Sequence, residues 1–92
     1  MTVIYLFTVL YLTDADTFNH TVISLAYKDK ATCLEKLDEE ELKYRRATRW
    51  FVVERYTRTT NVGSKSVEGF SAYDKVDKSK SFYECESTFL LD

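Results

Sequence analysis

The chain has no proline and only two glycines among 92 residues. Proline and glycine are the strongest local breakers of regular structure, so most of the backbone is expected in strand or helix. The length fits a single domain, residues 1–92, and leaves no room for a second. A chain this short buries only about 60–65% of its unfolded surface, so its core is small and each large side chain counts. A hydrophobic fraction of 45% is too high for a disordered segment. With 13 basic and 15 acidic side chains, the net charge of −2 gives no overall attraction to nucleic acid or membrane.

The first charged residue is Asp14, so MTVIYLFTVLYLT is an uninterrupted uncharged run. It carries no Lys or Arg ahead of its apolar part, as a secretory signal does. It is also shorter than the roughly 20 apolar residues of a membrane helix. Its Thr, Tyr, Val and Phe content is that of a buried strand. A cytoplasmic location is expected. In that setting Cys33 and Cys85 are read as reduced thiols serving as small apolar side chains.

Residues 3–12 read as the first strand, with Tyr5, Phe7, Val9 and Tyr11 on one face and Ile4, Leu6, Thr8, Leu10 and Leu12 on the other. Both faces are mostly apolar, which suggests a central strand covered on each side. An Asp-rich turn at 13–16 leads to a second strand over 17–27. There Phe18, Val22 and Leu25 are core candidates, and a slip between Val22 and Leu25 suggests a bulge. Asp29 fits a helix N-cap, with Thr32 and Glu35 offering an alternative capping box. The helix runs to about Ala47, gathering Cys33, Leu34, Leu37 and Tyr44 on a narrow stripe that suits one face of a sheet. Leu42 falls off that stripe, implying a bend or an exposed contact.

Further strands are read at 50–56, 67–76 and 82–91, with a flexible stretch at 59–66 around Gly63 and a polar turn at 77–81. Phe70, Ala72 and Val76 are placed on one face of the fourth strand. In the fifth, Tyr83, Cys85, Ser87 and Phe89 form the drier face. The fold class is therefore α+β: an antiparallel sheet of about five strands, in the order ββαβββ, with one helix packed on one face.

Catalytic chemistry finds little footing. His20 is the sole histidine, and neither cysteine sits in a nucleophile motif. Two isolated glycines do not make a phosphate loop or a dinucleotide fingerprint. Asp38, Glu39, Glu40 and Glu41 are consecutive and so fan around the helix as a solvated surface. No enzyme activity, metal or cofactor is expected.

Charge order is more telling. Residues 35–41 are dominated by acids, and 43–58 hold Lys43, Arg45, Arg46, Arg49, Arg55 and Arg58 against Glu54 alone. Acids early and bases late in a helix suit its dipole, at about 0.3–1 kcal/mol each. The spacings Glu39–Lys43 and Glu41–Arg45 suit ion pairs four residues apart. Arginine rather than lysine at five of the six basic positions points to bidentate or stacking contacts. The candidate binding residues are Lys43, Arg45, Arg46, Arg49, Trp50, Arg55, Tyr56 and Arg58, facing RNA backbone or an acidic protein surface. Thirteen Tyr and Phe with Trp50 exceed what one small core accommodates, so some of the seven tyrosines are expected at the surface, as contact residues or as cross-strand pairs on an open sheet face.

The segments VIYLFTVLYL, TVISLAY, KDKATCLEKL and RWFVVERY follow one another in a pattern that resembles short phage-encoded proteins. In length, single-domain build and lack of catalytic motifs the chain resembles anti-CRISPR proteins, including inhibitors of the type I-F surveillance complex. The resemblance spans Val3 to Tyr56 and is one of pattern, with no family site residues to carry over. It implies an inhibitory binding protein that docks on a host multi-subunit protein–RNA complex, with possible contact to guide RNA, and blocks target-DNA recognition without catalysis. Near-neutral charge sets the chain apart from DNA-mimicking inhibitors. The alternative is a small stand-alone module that binds RNA or single-stranded nucleic acid.

Overall fold

Five strands form one sheet, and a single helix packs across it. A computed structural model describes residues 2–12, 20–60 and 65–90. The elements are β1 (Thr2–Leu12), β2 (His20–Tyr27), α1 (Lys30–Arg45), β3 (Phe51–Thr59), β4 (Ser66–Asp74) and β5 (Lys80–Leu90). The Asp-rich turn, Phe18, Asn19 and Gly63 lie outside the described residues, as do the side chains of His20, Thr21 and Val22.

All pairings are antiparallel, and the strand order is β2-β1-β5-β4-β3. The central strand is therefore β5 and not β1, which lies one place in from the edge. The β1–β2 register runs without interruption from Tyr5 opposite Tyr27 to Leu12 opposite His20, so the expected bulge is absent there. β3 extends to Thr59, and Trp50 belongs to the preceding turn. β4 ends at Asp74, which moves Val76 from the expected core face into a turn, where it is 68% exposed.

Helix α1 begins where the sequence signals it. Asp29 caps it, its carboxylate accepting from the Thr32 backbone N–H at 2.8 Å and from the Thr32 hydroxyl at 2.7 Å. Those bonds hold the Asp29 carboxyl below its ordinary pKa. Within the helix itself the first turn holds no acid, so the N-terminal end of the dipole is met by the Asp29 cap and the far end by Lys43 and Arg45. Leu42 is exposed.

The helix covers one sheet face. Cys33 and Leu37 of α1 and Phe70 of β4 are fully buried, in one cluster with the buried side chains of Phe7 of β1, Ala72 of β4 and Cys85 of β5. Tyr83 stacks on Phe70 with ring centroids 4.7 Å apart and planes within 5°. Tyr44 meets Phe51 edge-on and shares a 2.6 Å hydroxyl hydrogen bond with Tyr83. Burial first, and that bond second, push the Tyr83 phenol well above its ordinary pKa. A disulfide joins Cys33 to Cys85, with Cα atoms 6.0 Å apart, and ties the helix to the central strand. This overturns the expectation of two reduced cysteines. The residues lie far apart in sequence, and only the helix crossing over β5 brings them together.

The other face carries no helix. By strand alternation it presents Ile4, Leu6, Thr8, Leu10 and Leu12, the first strand's second apolar set, and these are half-buried. The expectation of cover on both sides of β1 thus holds for one side among the described residues.

Candidate functional site

The eight residues expected to form one binding patch divide among three places. Strand alternation explains the first division, because Arg55 and Arg58 differ by an odd number and so leave β3 on opposite faces.

Arg55 lies on the helix side. Its guanidinium donates to Asp38 at 2.9 Å and to Glu41 of α1, and to Glu68 of β4 at 2.8 Å. Partial burial works against the charge, but these three carboxylates outweigh it and hold the Arg55 pKa above its ordinary value. Glu41 also takes a 2.7 Å bond from Arg45, one of the two expected helix pairs. Lys43 bonds Glu40 at 3.1 Å in place of the expected Glu39, and Lys36 bonds the same carboxylate at 3.1 Å. Burial raises the pKa of Glu40 and Glu41, and their cationic partners more than offset it, so both lie below the ordinary range. Lys43, Arg45 and Arg55 are thus engaged within the chain.

Tyr56 and Arg58 lie on the open face and converge on Glu84 of β5. Arg58 grips that carboxylate with two bonds, Nε at 2.8 Å and Nη2 at 2.7 Å, while the Tyr56 hydroxyl donates to the same group. The arginine bonds hold the Glu84 carboxyl below its ordinary pKa against the effect of burial. Desolvation, then the bond to Glu84, raises the Tyr56 phenol. Gly69 makes this convergence possible. A Cβ there would lie 2.5 Å from the Tyr83 carbonyl oxygen, 2.9 Å from Glu84 Cγ and 3.0 Å from the Tyr56 hydroxyl. Beside this cluster runs a shallow groove of about 510 Å³, lined by Thr8 and Leu10 of β1, Phe82 and Glu86 of β5, and the cluster itself.

Arg46, Arg49 and Trp50 form the third group, in the turn from α1 to β3. The Arg46 backbone N–H closes the helix on the Leu42 carbonyl at 3.1 Å, and a second turn follows, with Trp50 N–H to Ala47 O at 2.9 Å. Both arginine side chains are exposed. Among the described residues neither meets a carboxylate, and the guanidinium of Arg49 lies 5.5 Å over the Trp50 ring. Trp50 is 50% exposed.

A neighbouring turn completes this corner. The Lys75 backbone N–H donates to Trp50 O at 2.9 Å, and its Nζ reaches the Thr48 carbonyl at 3.5 Å. Asp74 shapes that turn, its carboxylate accepting from the Val76 N–H at 2.8 Å and the Asp77 N–H at 3.3 Å. Lys78 takes a positive φ of 61° to close it. The turn joins Trp50 through the Lys75 backbone and exposes Lys75, Val76 and Lys78. Sequence reading placed Val76 in the core and so missed this half of the corner. An isolated valine between Lys75 and Asp77 was the available signal. The expectation about tyrosine is also corrected: all seven are half-buried, and among the described residues the exposed aromatic is Trp50.

The corner is thus a small basic and aromatic surface with free guanidinium donors, suited to phosphates or carboxylates and to a flat apolar partner. None of the described helices is long and apolar enough to cross a membrane. Comparison with known proteins finds no matching family model, no matching curated protein and no matching solved structure.

Proposed function

We propose that this chain is an inhibitory binding protein of the anti-CRISPR kind. It docks on a host protein–RNA effector complex and blocks target-DNA recognition without catalysis. The observation that carries this reading is the corner of Arg46, Arg49 and Trp50. Its guanidinium groups are unspent, whereas Lys43, Arg45, Arg55 and Arg58 are consumed by the chain's own carboxylates. Arg and Trp are the residues that most often dominate interface energetics. Here they stand on a disulfide-tied frame that loses little freedom on binding.

The partner complex works in the cytosol, where disulfides are ordinarily reduced. The reading therefore requires that binding survive reduction of Cys33–Cys85. The test is capture of purified type I-F surveillance complex by the tagged chain, under oxidising and reducing conditions. Wild type is expected to bind in both, and Arg46→Ala/Arg49→Ala/Trp50→Ala to lose at least tenfold in affinity with its fold intact. Absence of binding at micromolar concentration to that complex and to other effector complexes sinks the proposal.

The cation–π contact of Arg49 with exposed Trp50 favours one other reading, a stand-alone module for RNA or single-stranded nucleic acid. That reading expects affinity for labelled single-stranded RNA that falls steeply with salt. Affinity at low salt that is indifferent to Arg46→Ala/Arg49→Ala removes it.

A further inference from the structure

The two edges of the sheet differ in how they are guarded. β3 carries Glu54, Arg55 and Arg58, charges of the kind that keep an edge strand from pairing with another chain. β2, HTVISLAY, has no Lys, Arg, Asp, Glu or Pro over its whole length. Its outer row of backbone donors and acceptors has no partner strand among the described residues. Ser24, Leu25 and Ala26 are exposed in succession, so both faces of this strand are open, and Leu25 is 46% exposed although it points to the helix side. Helix α1 leaves room there, because its Asp38 and Glu41 are drawn towards Arg55 at the opposite edge.

We propose that β2 pairs antiparallel with β2 of a second copy, joining two five-stranded sheets into one of ten. An unpaired edge selects an extended strand as its partner, through main-chain hydrogen bonds. The strand's own sequence favours itself, because no register of HTVISLAY against HTVISLAY opposes like carboxylates or ammonium groups. The two-fold axis must stand perpendicular to the sheet, so both helices lie on the same side. Paired residues share a face, so one residue faces its own copy across the axis, which runs between the two strands. With Ser24 at the axis, a small exposed side chain opposes its own copy, and the two Leu25 side chains stand diagonally about 7–8 Å apart. An eight-residue strand is about 26 Å long and a sheet layer about 10 Å thick, so the contact covers a few hundred Å² per copy. That is below the roughly 800 Å² per partner of a tight complex, so the dimer is reversible.

Sedimentation equilibrium on the full chain tests this, from about 10 µM to about 500 µM, a range set by the small contact area. Wild type is expected to rise from 10.8 kDa towards twice that mass. Leu25→Lys and Leu25→Glu, each keeping the wild-type circular dichroism spectrum, are expected to stay monomeric alone and to form a mixed dimer when combined. Wild type that stays at 10.8 kDa throughout overturns the proposal. So does a dimer that both variants leave intact, or a loss of dimer in each variant that mixing does not restore. Retained binding of an unrelated extended peptide by the monomeric variants would assign the edge to a foreign strand instead.

Discussion

The two faces of the sheet solve one problem by different means. On the helix side, Phe70, Leu37 and Cys33 leave water completely, and aromatic stacking and a disulfide fix their geometry. On the open side no described element covers the strands: Val67 opposite Arg58 is fully buried there, and half-buried aliphatics border a polar cluster in which Arg58 and Tyr56 hold Glu84. One arginine serves each face. Arg55 ties helix to sheet and Arg58 ties β3 to β5, across β4. Covered apolar surface carries most of the stability, and the exposed charge clusters chiefly hold strands in position.

That comparison breaks first if aromatic truncations on the two faces cost the same. Phe70→Ala is expected to lower unfolding free energy by about 3–5 kcal/mol, and Phe82→Ala on the open face by about half as much. Urea denaturation of both variants measures the ratio. Removing the covalent tie is next in size. A loop closed by residues 52 apart is worth about 4 kcal/mol in chain entropy, so Cys33→Ser/Cys85→Ser is expected to unfold at a clearly lower urea concentration. Calorimetry with and without reductant provides an independent check.

Smaller effects sharpen the open side. Glu84→Gln weakens both the arginine grip and the tyrosine bond, with an expected loss of about 1–2 kcal/mol. Acid should weaken both faces together. Glu41 and Glu84 titrate lower in the folded chain than their ordinary 4.5, so the unfolded state takes up protons more readily. Their contribution is present above about pH 4.5 and is lost as pH falls through the lower folded values. Urea midpoints between neutral and acid pH should show this decline, with a shallower slope for Glu84→Gln.

Local rules made much of the fold legible. The Asp29 cap, the α1 stripe and the alternation of β1 and β5 are set by neighbours a few residues away, and the structure reproduces them. Strand order was not legible, because β1 is apolar on both faces whether or not it is central. Within the chain Arg58 makes a bidentate contact and Arg49 lies over an aromatic ring, geometries that arginine favours. The internal partners of Arg55 and Arg58 were not legible, because only the topology brings Glu68 of β4 and Glu84 of β5 within reach of β3. The cysteines follow the same logic. Their pairing depends on a helix crossing that no short-range spacing encodes.

The place of β5 has a consequence for how the molecule assembles. β1–β2 and β3–β4 are hairpins of neighbours in the chain, but they touch the rest of the sheet only through β5, which follows all four. During synthesis the two hairpins lack their shared neighbour until β5 emerges, and that strand joins them by insertion between β1 and β4. Closure of this kind is dominated by non-local contacts, which slows folding. The waiting ribbons are where aggregation competes.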